Sequence, residues 1–275
     1  MRKLIFFVII LAVILYVYMN RAWWFLKHVT MPMNFERLQY KDQPAPSLVE
    51  TMDLLKARRD NAAWLIFTKI VLNNPNDQDA LWGKAEVLRR KRNYQESEGI
   101  LNQILAQNPK HTSAMLSLAY IRYKDDRLDE AQTLVSNAFS FYPNKETEAL
   151  AYMLLGIINS RRAAKGGAWA KFNYGTQVKC YLVKAKELAP QLPEIRLALG
   201  TFYLLAPCIV GGNLEKARQE LEVAVGLAPD FATANARLAQ YYRKKGSFDK
   251  YSVYREKAEE IDPDNEVLQE LSSGR

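Results

Sequence analysis

Between about residues 44 and 263, apolar side chains recur every three to four positions, the spacing that lays a stripe down one side of a helix. Prolines cut this pattern at regular places: Asn74-Pro75, Asn108-Pro109, Tyr142-Pro143, Ala189-Pro190, Ala228-Pro229 and Asp262-Pro263 each close one stretch. A proline has no amide hydrogen and clashes with the preceding turn, so each one ends a helix. Three of the five intervals are 34 residues, and the other two are 47 and 39. Twelve residues before each proline stand Ala63, Ser97, Ala131, Val178, Ala217 and Tyr251; five before stand Ile70, Ile104, Ala138, Ala185, Ala224 and Ala258. Small side chains at fixed places let two helices approach closely. Lys84-Ala85, Leu118-Ala119, Leu199-Gly200 and Leu238-Ala239 all begin nine residues after the preceding proline, and Leu155-Gly156 twelve after. A fixed period of this length predicts stacked helical hairpins rather than one large core. The units run 44–75, 78–109, 112–143, 146–190, 193–229 and 232–263, with 264–275 as a capping helix and tail.

Two units break the period. The fourth carries ten extra residues between its helices and three before the first, and the fifth carries five between its helices. Both insertions contain a glycine pair, Gly166-Gly167 and Gly211-Gly212, so two lengthened turns on one edge are expected, with glycine supplying positive φ. The first is basic and aromatic: Arg161, Arg162, Lys165 and Lys171 alternate with Trp169, Phe172 and Tyr174. From Arg161 to Lys186 there are seven basic residues and no acidic one. Such a loop suits phosphate groups, bases or an anionic membrane, set against a solvated edge whose aromatics pack on the next hairpin.

The 34-residue period, the Leu-Gly/Ala pair, the small residue and the closing proline resemble the tetratricopeptide repeat. The resemblance covers about residues 44 to 263; Tyr251 and Arg255 depart from it in the last unit. It implies an all-α, right-handed α-solenoid of about six hairpins, whose inner groove holds a protein or peptide partner. Transferring the family's inner stripe gives Trp82, Glu86, Arg89 and Arg90, then Leu116, Tyr120, Tyr123 and Lys124. Met153, Ile157 and Arg161 follow, then Leu197, Thr201 and Leu204, and last Ala236, Gln240, Arg243 and Lys244. Such a stripe suits an amphipathic helix or extended apolar segment with acidic flanks. The Lys/Asn pattern by which some members clamp a terminal carboxylate is absent. Phe202 to Ala217 is similar to a proline-then-Gly-Gly variant in bacterial tetratricopeptide proteins. It also resembles helical-repeat components of periplasmic TRAP-type transporters, which implies a small apolar ligand as a second reading.

Ahead of the array, Met1-Arg2-Lys3 precedes sixteen residues, Leu4 to Met19, without a charged or strongly polar side chain. As a helix this run covers ~24 Å, short of a ~30 Å hydrocarbon core. Ala22 to Leu26 extends it past Arg21, which can snorkel, and Trp23 and Trp24 suit the headgroup layer. No small-x-small cleavage site follows, so residues 1–26 are expected to be one uncleaved transmembrane helix. Residues 27–43, with Pro32, form a tether. Arg2, Lys3 and the amino terminus outweigh Arg21 and Lys27 by one charge. That predicts a single-pass inner-membrane protein with the N-terminus cytoplasmic and the array outside.

Composition adds exclusions. A net charge of +8 over 275 residues favours acidic partners only mildly. Cys180 and Cys208 are too few for a disulfide framework, and no CxxC pair exists. His28 and His111 form no HExxH, no GxSxG appears, and neither glycine pair matches a phosphate-cradling loop. Adjacent carboxylates such as Asp125-Asp126 do not converge on a helix. No enzyme activity and no cofactor are therefore expected. The expected partners are a protein in the groove and the membrane at the N-terminus; a small ligand comes second, and nucleic acid is not favoured.

Overall fold

The computed structural model describes residues 47–273. The expected anchor, Leu4 to Met19, lies outside the described residues; among these no helix is long and apolar enough to cross a membrane. The described residues form thirteen α-helices and no strand. They pair as hairpins: α1 (Leu48–Lys56) with α2 (Asp60–Asn73), α3 (Gln78–Arg90) with α4 (Tyr94–Gln107), α5 (Thr112–Lys124) with α6 (Leu128–Ser140). Next come α7 (Lys145–Lys165) with α8 (Ala168–Leu188), α9 (Pro193–Leu205) with α10 (Leu214–Leu227), and α11 (Ala232–Lys244) with α12 (Phe248–Ile261). A short helix, α13 (Glu266–Ser272), closes the stack.

The sequence dictates where these helices stop and start. Helices α2, α4, α8, α10 and α12 each end two residues before a proline. Three first helices, α3, α5 and α7, are then capped by a side chain that accepts from an otherwise unpaired amide: Asp77 from Ala80, His111 Nδ1 from Ala114, and Asn144 from Thr147. Within hairpins, the first helix is closed by a left-handed residue: Arg58, Arg92, Asp126 and Gly246 have φ of 63°, 63°, 64° and 73°. At Arg92 the reversal is secured by two bonds, Arg92 N–H to the Arg89 carbonyl at 3.1 Å and Asn93 N–H to Leu88 at 2.9 Å.

The periodic small residues sit where helices touch. Ala63, Ser97, Ala131 and Ala217 are completely buried, and the Ser97 hydroxyl donates to the Ala85 carbonyl at 2.7 Å. A methyl group on Gly200 would lie 2.8 Å from Leu221 Cγ, so at this crossing even an alanine forces a shift. The core runs through the stack as Phe67, Leu101, Ile104, Ile158, Leu182, Leu199, Leu221 and Leu238, all fully buried. Each contributes about 1.5–3 kcal/mol by leaving water. At the end of the array, Val267, Leu268 and Leu271 of α13 cover Ala236, Ala239 and Ala258, which solvent would otherwise meet.

The extra residues of the fourth unit do not form a lengthened turn. They extend the helices: α7 and α8 have 21 residues each, where the other paired helices have 9 to 14. The three residues before the unit are absorbed too, because α7 starts two residues after Pro143 where α3 and α5 start three after theirs. Gly166 and Gly167 have φ of −87° and −70°, so positive φ is not what they provide. A side chain at Gly166 would instead collide with Ala170 Cβ. The fifth unit does make a loop, with a 3-10 turn at Cys208–Val210 and Gly211 at φ +105°. Its second glycine, Gly212, lies so close to the Ala206 carbonyl that no Cβ fits. Cys180 and Cys208 are both free thiols on the surface.

Candidate functional site

The residues expected to form an inner stripe lie on the first helices of the second to sixth hairpins, and their side chains are partly spoken for by packing. Trp82 donates from Nε1 to Ser117 Oγ at 3.0 Å, and Ser117 donates on to buried Glu86 at 2.9 Å. Glu86 also accepts from Arg89 Nε at 2.8 Å and Arg90 Nε at 3.1 Å. Burial favours the neutral acid, but Arg89 and then Arg90 outweigh it and hold the Glu86 carboxyl well below the usual carboxylate range. The Arg89 guanidinium in turn lies 4.0 Å from the Tyr120 ring centroid.

Of the expected contact residues, Leu116 and Leu204 are buried at 4% and 1% exposure, so they support the stripe rather than present it. Trp82, Tyr120, Tyr123, Met153, Ile157 and Leu197 remain half-buried, with apolar surface still facing out. Arg161 donates to the Tyr123 hydroxyl at 3.2 Å, and Arg243 donates to the Leu271 carbonyl at 2.7 Å. Arg161 is thereby fastened to a stripe residue, and Arg243 to the closing helix.

Across this face the array is clasped by ion pairs that no local pattern in the sequence announces. Arg58 reaches Glu194 at 2.8 Å, and Arg90 reaches the same carboxylate at 3.2 Å. Lys56 meets Glu146 at 2.9 Å, Lys124 meets Glu266 at 2.5 Å, and Arg92 pairs with Asp262. These partners lie 90 to 170 residues apart. Three of the cations, Lys56, Arg90 and Lys124, sit in the last turn of a helix. Their carboxylate partners, Glu146, Glu194 and Glu266, each sit in the first turn of a helix. Both placements suit the helix dipole, so the macrodipoles reinforce the pairing. Arg58 also lies 3.9 Å from the Phe231 ring centroid. Burial, then the charge of Arg90, pulls the Arg58 guanidinium down from its ordinary value.

The basic insertion begins at the rim of the stripe with Arg161 and runs beyond it. Arg161, Arg162 and Lys165 are on the far end of α7, and Trp169 and Lys171 begin α8. Together they make a helical finger, braced where Arg162 meets Asp129 at 2.5 Å and Lys165 meets Asp126. Trp169 and Phe172 on it are 76% and 70% exposed, so they do not pack on the next hairpin. No group of three metal-ligating side chains occurs among the described residues. Two hollows among the described residues are open: one lined by Leu204, Leu205, Gln240, Arg243 and Lys244, the other beside α13.

With this geometry in view, residues 83–135 match the tetratricopeptide repeat family. No curated protein sequence matches the chain. Among solved structures, the human IFIT1 dimer with PPP-AAAA superposes with a TM-score of 0.57 at 17% identity, over 82% of this chain and 51% of that one. The APC/C hetero-tetramer Cut9-Hcn1 gives 0.56 at 15% identity, over 79% of this chain and 40% of that one. This chain thus spans about half or less of those proteins. Pseudomonas aeruginosa PilF aligns over 83% of this chain and 96% of its own at 15% identity, with a TM-score of 0.45. At such identities the likeness shows the fold, which is an all-helical solenoid of the tetratricopeptide type.

Proposed function

We propose that the chain is a non-catalytic scaffold that holds a segment of a protein partner against the inner stripe, tethered by its N-terminus at a bacterial inner membrane. The observation that carries this reading is the row of half-exposed Tyr120, Tyr123, Met153, Ile157 and Leu197, bordered by Lys124 and Arg161. An apolar row with cations at its rim matches a helix or extended peptide with acidic flanks. Tetratricopeptide solenoids generally serve as protein-interaction scaffolds, which supports the same reading. The uncharged run Leu4 to Met19 and the one-charge excess before it support the tether, with the N-terminus cytoplasmic and the array outside. The open hollows favour a polypeptide over a small apolar ligand, which needs an enclosed apolar pocket.

The experiment is co-purification of partners from cells carrying full-length protein, beside Tyr120→Glu and Met153→Glu variants. Each substitution places a charge on the stripe at a half-buried position whose side chain also packs against the core, so folding is checked beside binding. The reading requires a defined protein to be retained by the parent and lost from both variants, with unchanged circular dichroism. Equal retention by all three overturns it.

A further inference from the structure

A second surface stands apart from the inner stripe. The hairpin turns of units four to six share one edge, and contacts join them. Lys179 of α8 lies alongside Gly211 in the fifth unit's loop, within 3.2 Å of where a Cβ would sit, and Lys245 in the sixth unit's turn reaches Glu215 of α10 at 3.5 Å. Along this edge stand five outward apolar side chains: Trp169 (76% exposed), Phe172 (70%), Leu205 (53%), Ile209 (94%) and Phe248 (66%). The finger raises Trp169 about 9 Å and Phe172 about 5 Å beyond the neighbouring turns, since α8 begins seven residues earlier in its repeat than its counterparts. Between them lie exposed Lys171, Lys179 and Lys250. The carboxylates near the finger's base, Asp126 and Asp129, are taken up by Lys165 and Arg162, and Glu215 is taken up by Lys245.

We infer that this edge docks onto an anionic lipid bilayer. A protein groove would gather apolar groups into a concavity; here Trp169, Phe172, Ile209 and Phe248 are set apart on the hairpin turns with ammonium groups between them, and Leu205 borders a hollow. Trp and Phe belong at the headgroup level, and lysines beside them pair with anionic headgroups. Each lysine near such a surface strengthens attachment about fivefold, so the edge binds as a set and weakens steeply with salt. The inference does not depend on what the inner stripe holds.

The test uses the full chain with Cys180→Ser and Cys208→Ser, carrying Ile209→Cys or, as a control on the opposite edge, Tyr142→Cys. Each cysteine is spin-labelled, and the protein is combined with phosphatidylcholine vesicles with or without about one-third phosphatidylglycerol. Collision with oxygen relative to a water-soluble nickel complex reports immersion. The expected result is a several-fold rise in that ratio at position 209 in anionic vesicles only, none at 142, and its loss on Lys171→Gln with Lys179→Gln. Nickel access at 209 equal to that at 142 in both vesicles overturns the inference. Shielding at 209 that is the same in neutral vesicles also overturns it, because another part of the chain or a second copy then covers the edge.

Discussion

Glu194→Gln removes one negative charge from the clasp that joins the first two hairpins to the fifth. Gln keeps the shape of the side chain, so the loss is electrostatic. Glu194 is 17% exposed, facing Arg58 at 11% and Arg90 at 8%, which places the group among buried rather than surface pairs. Arg90 retains Asp60 at 2.7 Å and Glu86 at 3.1 Å. Arg58 retains no carboxylate partner and keeps only the Phe231 ring. Removing one partner of a buried pair costs about 3–5 kcal/mol, and with one of two cations still satisfied the expected cost is about 2–4 kcal/mol. With a urea slope of about 2 kcal/mol per molar, the midpoint falls by about 1–2 M in an equilibrium titration followed by far-UV circular dichroism. Glu146→Gln is the control: its pair with Lys56 is about 40% exposed on both sides, and a cost below about 1 kcal/mol follows. The structure also sets the sign of the double variant. Arg58 Nε and Glu194 Oε2 are buried without partners, so the pair is incompletely satisfied. Arg58→Met with Glu194→Leu should therefore recover most of the loss, by about 1 kcal/mol or more relative to additivity. A shift below about 0.3 M for Glu194→Gln, or strict additivity with Arg58→Met, refutes the reasoning.

Other outcomes follow from the same structure. The carboxyls of Asp79, Glu86, Glu98 and Glu266 are held below their ordinary values, so the stability they add is present above about pH 4.3 and lost as pH falls through their folded values. Thermal melts should drop steadily from pH 5 to about 3, and a flat profile would contradict these directions. Gly83→Ala drives a methyl group into the buried Phe67 ring; a loss of about 1–3 kcal/mol in urea midpoint is expected, and a gain would show that the ring yields freely. The pairs of Lys56 with Glu146 and Arg92 with Asp262 are exposed enough to be screened at about 1 M salt, where the Debye length is about 3 Å. Small-angle scattering should then show a larger radius of gyration, and no change would mean that packing alone sets the curvature.

Much of the hairpin architecture was legible because it is local. Each repeat-closing proline removes an amide, and the helix before it ends two or three residues ahead. Each small residue at a fixed offset, such as Ala63 or Ala131, marks a helix crossing. The fourth unit was misjudged for a physical reason: a period counts residues, and ten extra residues fit a loop or longer helices equally well. Ala163, Ala164, Ala168 and Ala170 beside the glycine pair favour helix, and that composition was the available signal. The stripe residues fall on first helices of the hairpins, yet spacing did not reveal that Leu116 and Leu204 turn into the core. The clasps were invisible for a different reason. A simple solenoid unit touches only its neighbours, whereas Arg92 and Asp262 meet across 170 residues through the curvature of the whole array.

The most direct measurement is site-specific photo-crosslinking in cells that express the full chain. The photoreactive group p-benzoylphenylalanine is placed in turn at Ile157 and Tyr120 on the inner stripe, and at exposed Thr133 on α6. The scaffold account predicts a polypeptide adduct of one discrete mass from positions 157 and 120 and none from 133. Absence of any adduct at both inner positions, or an equal yield of the same adduct at 133, would contradict it.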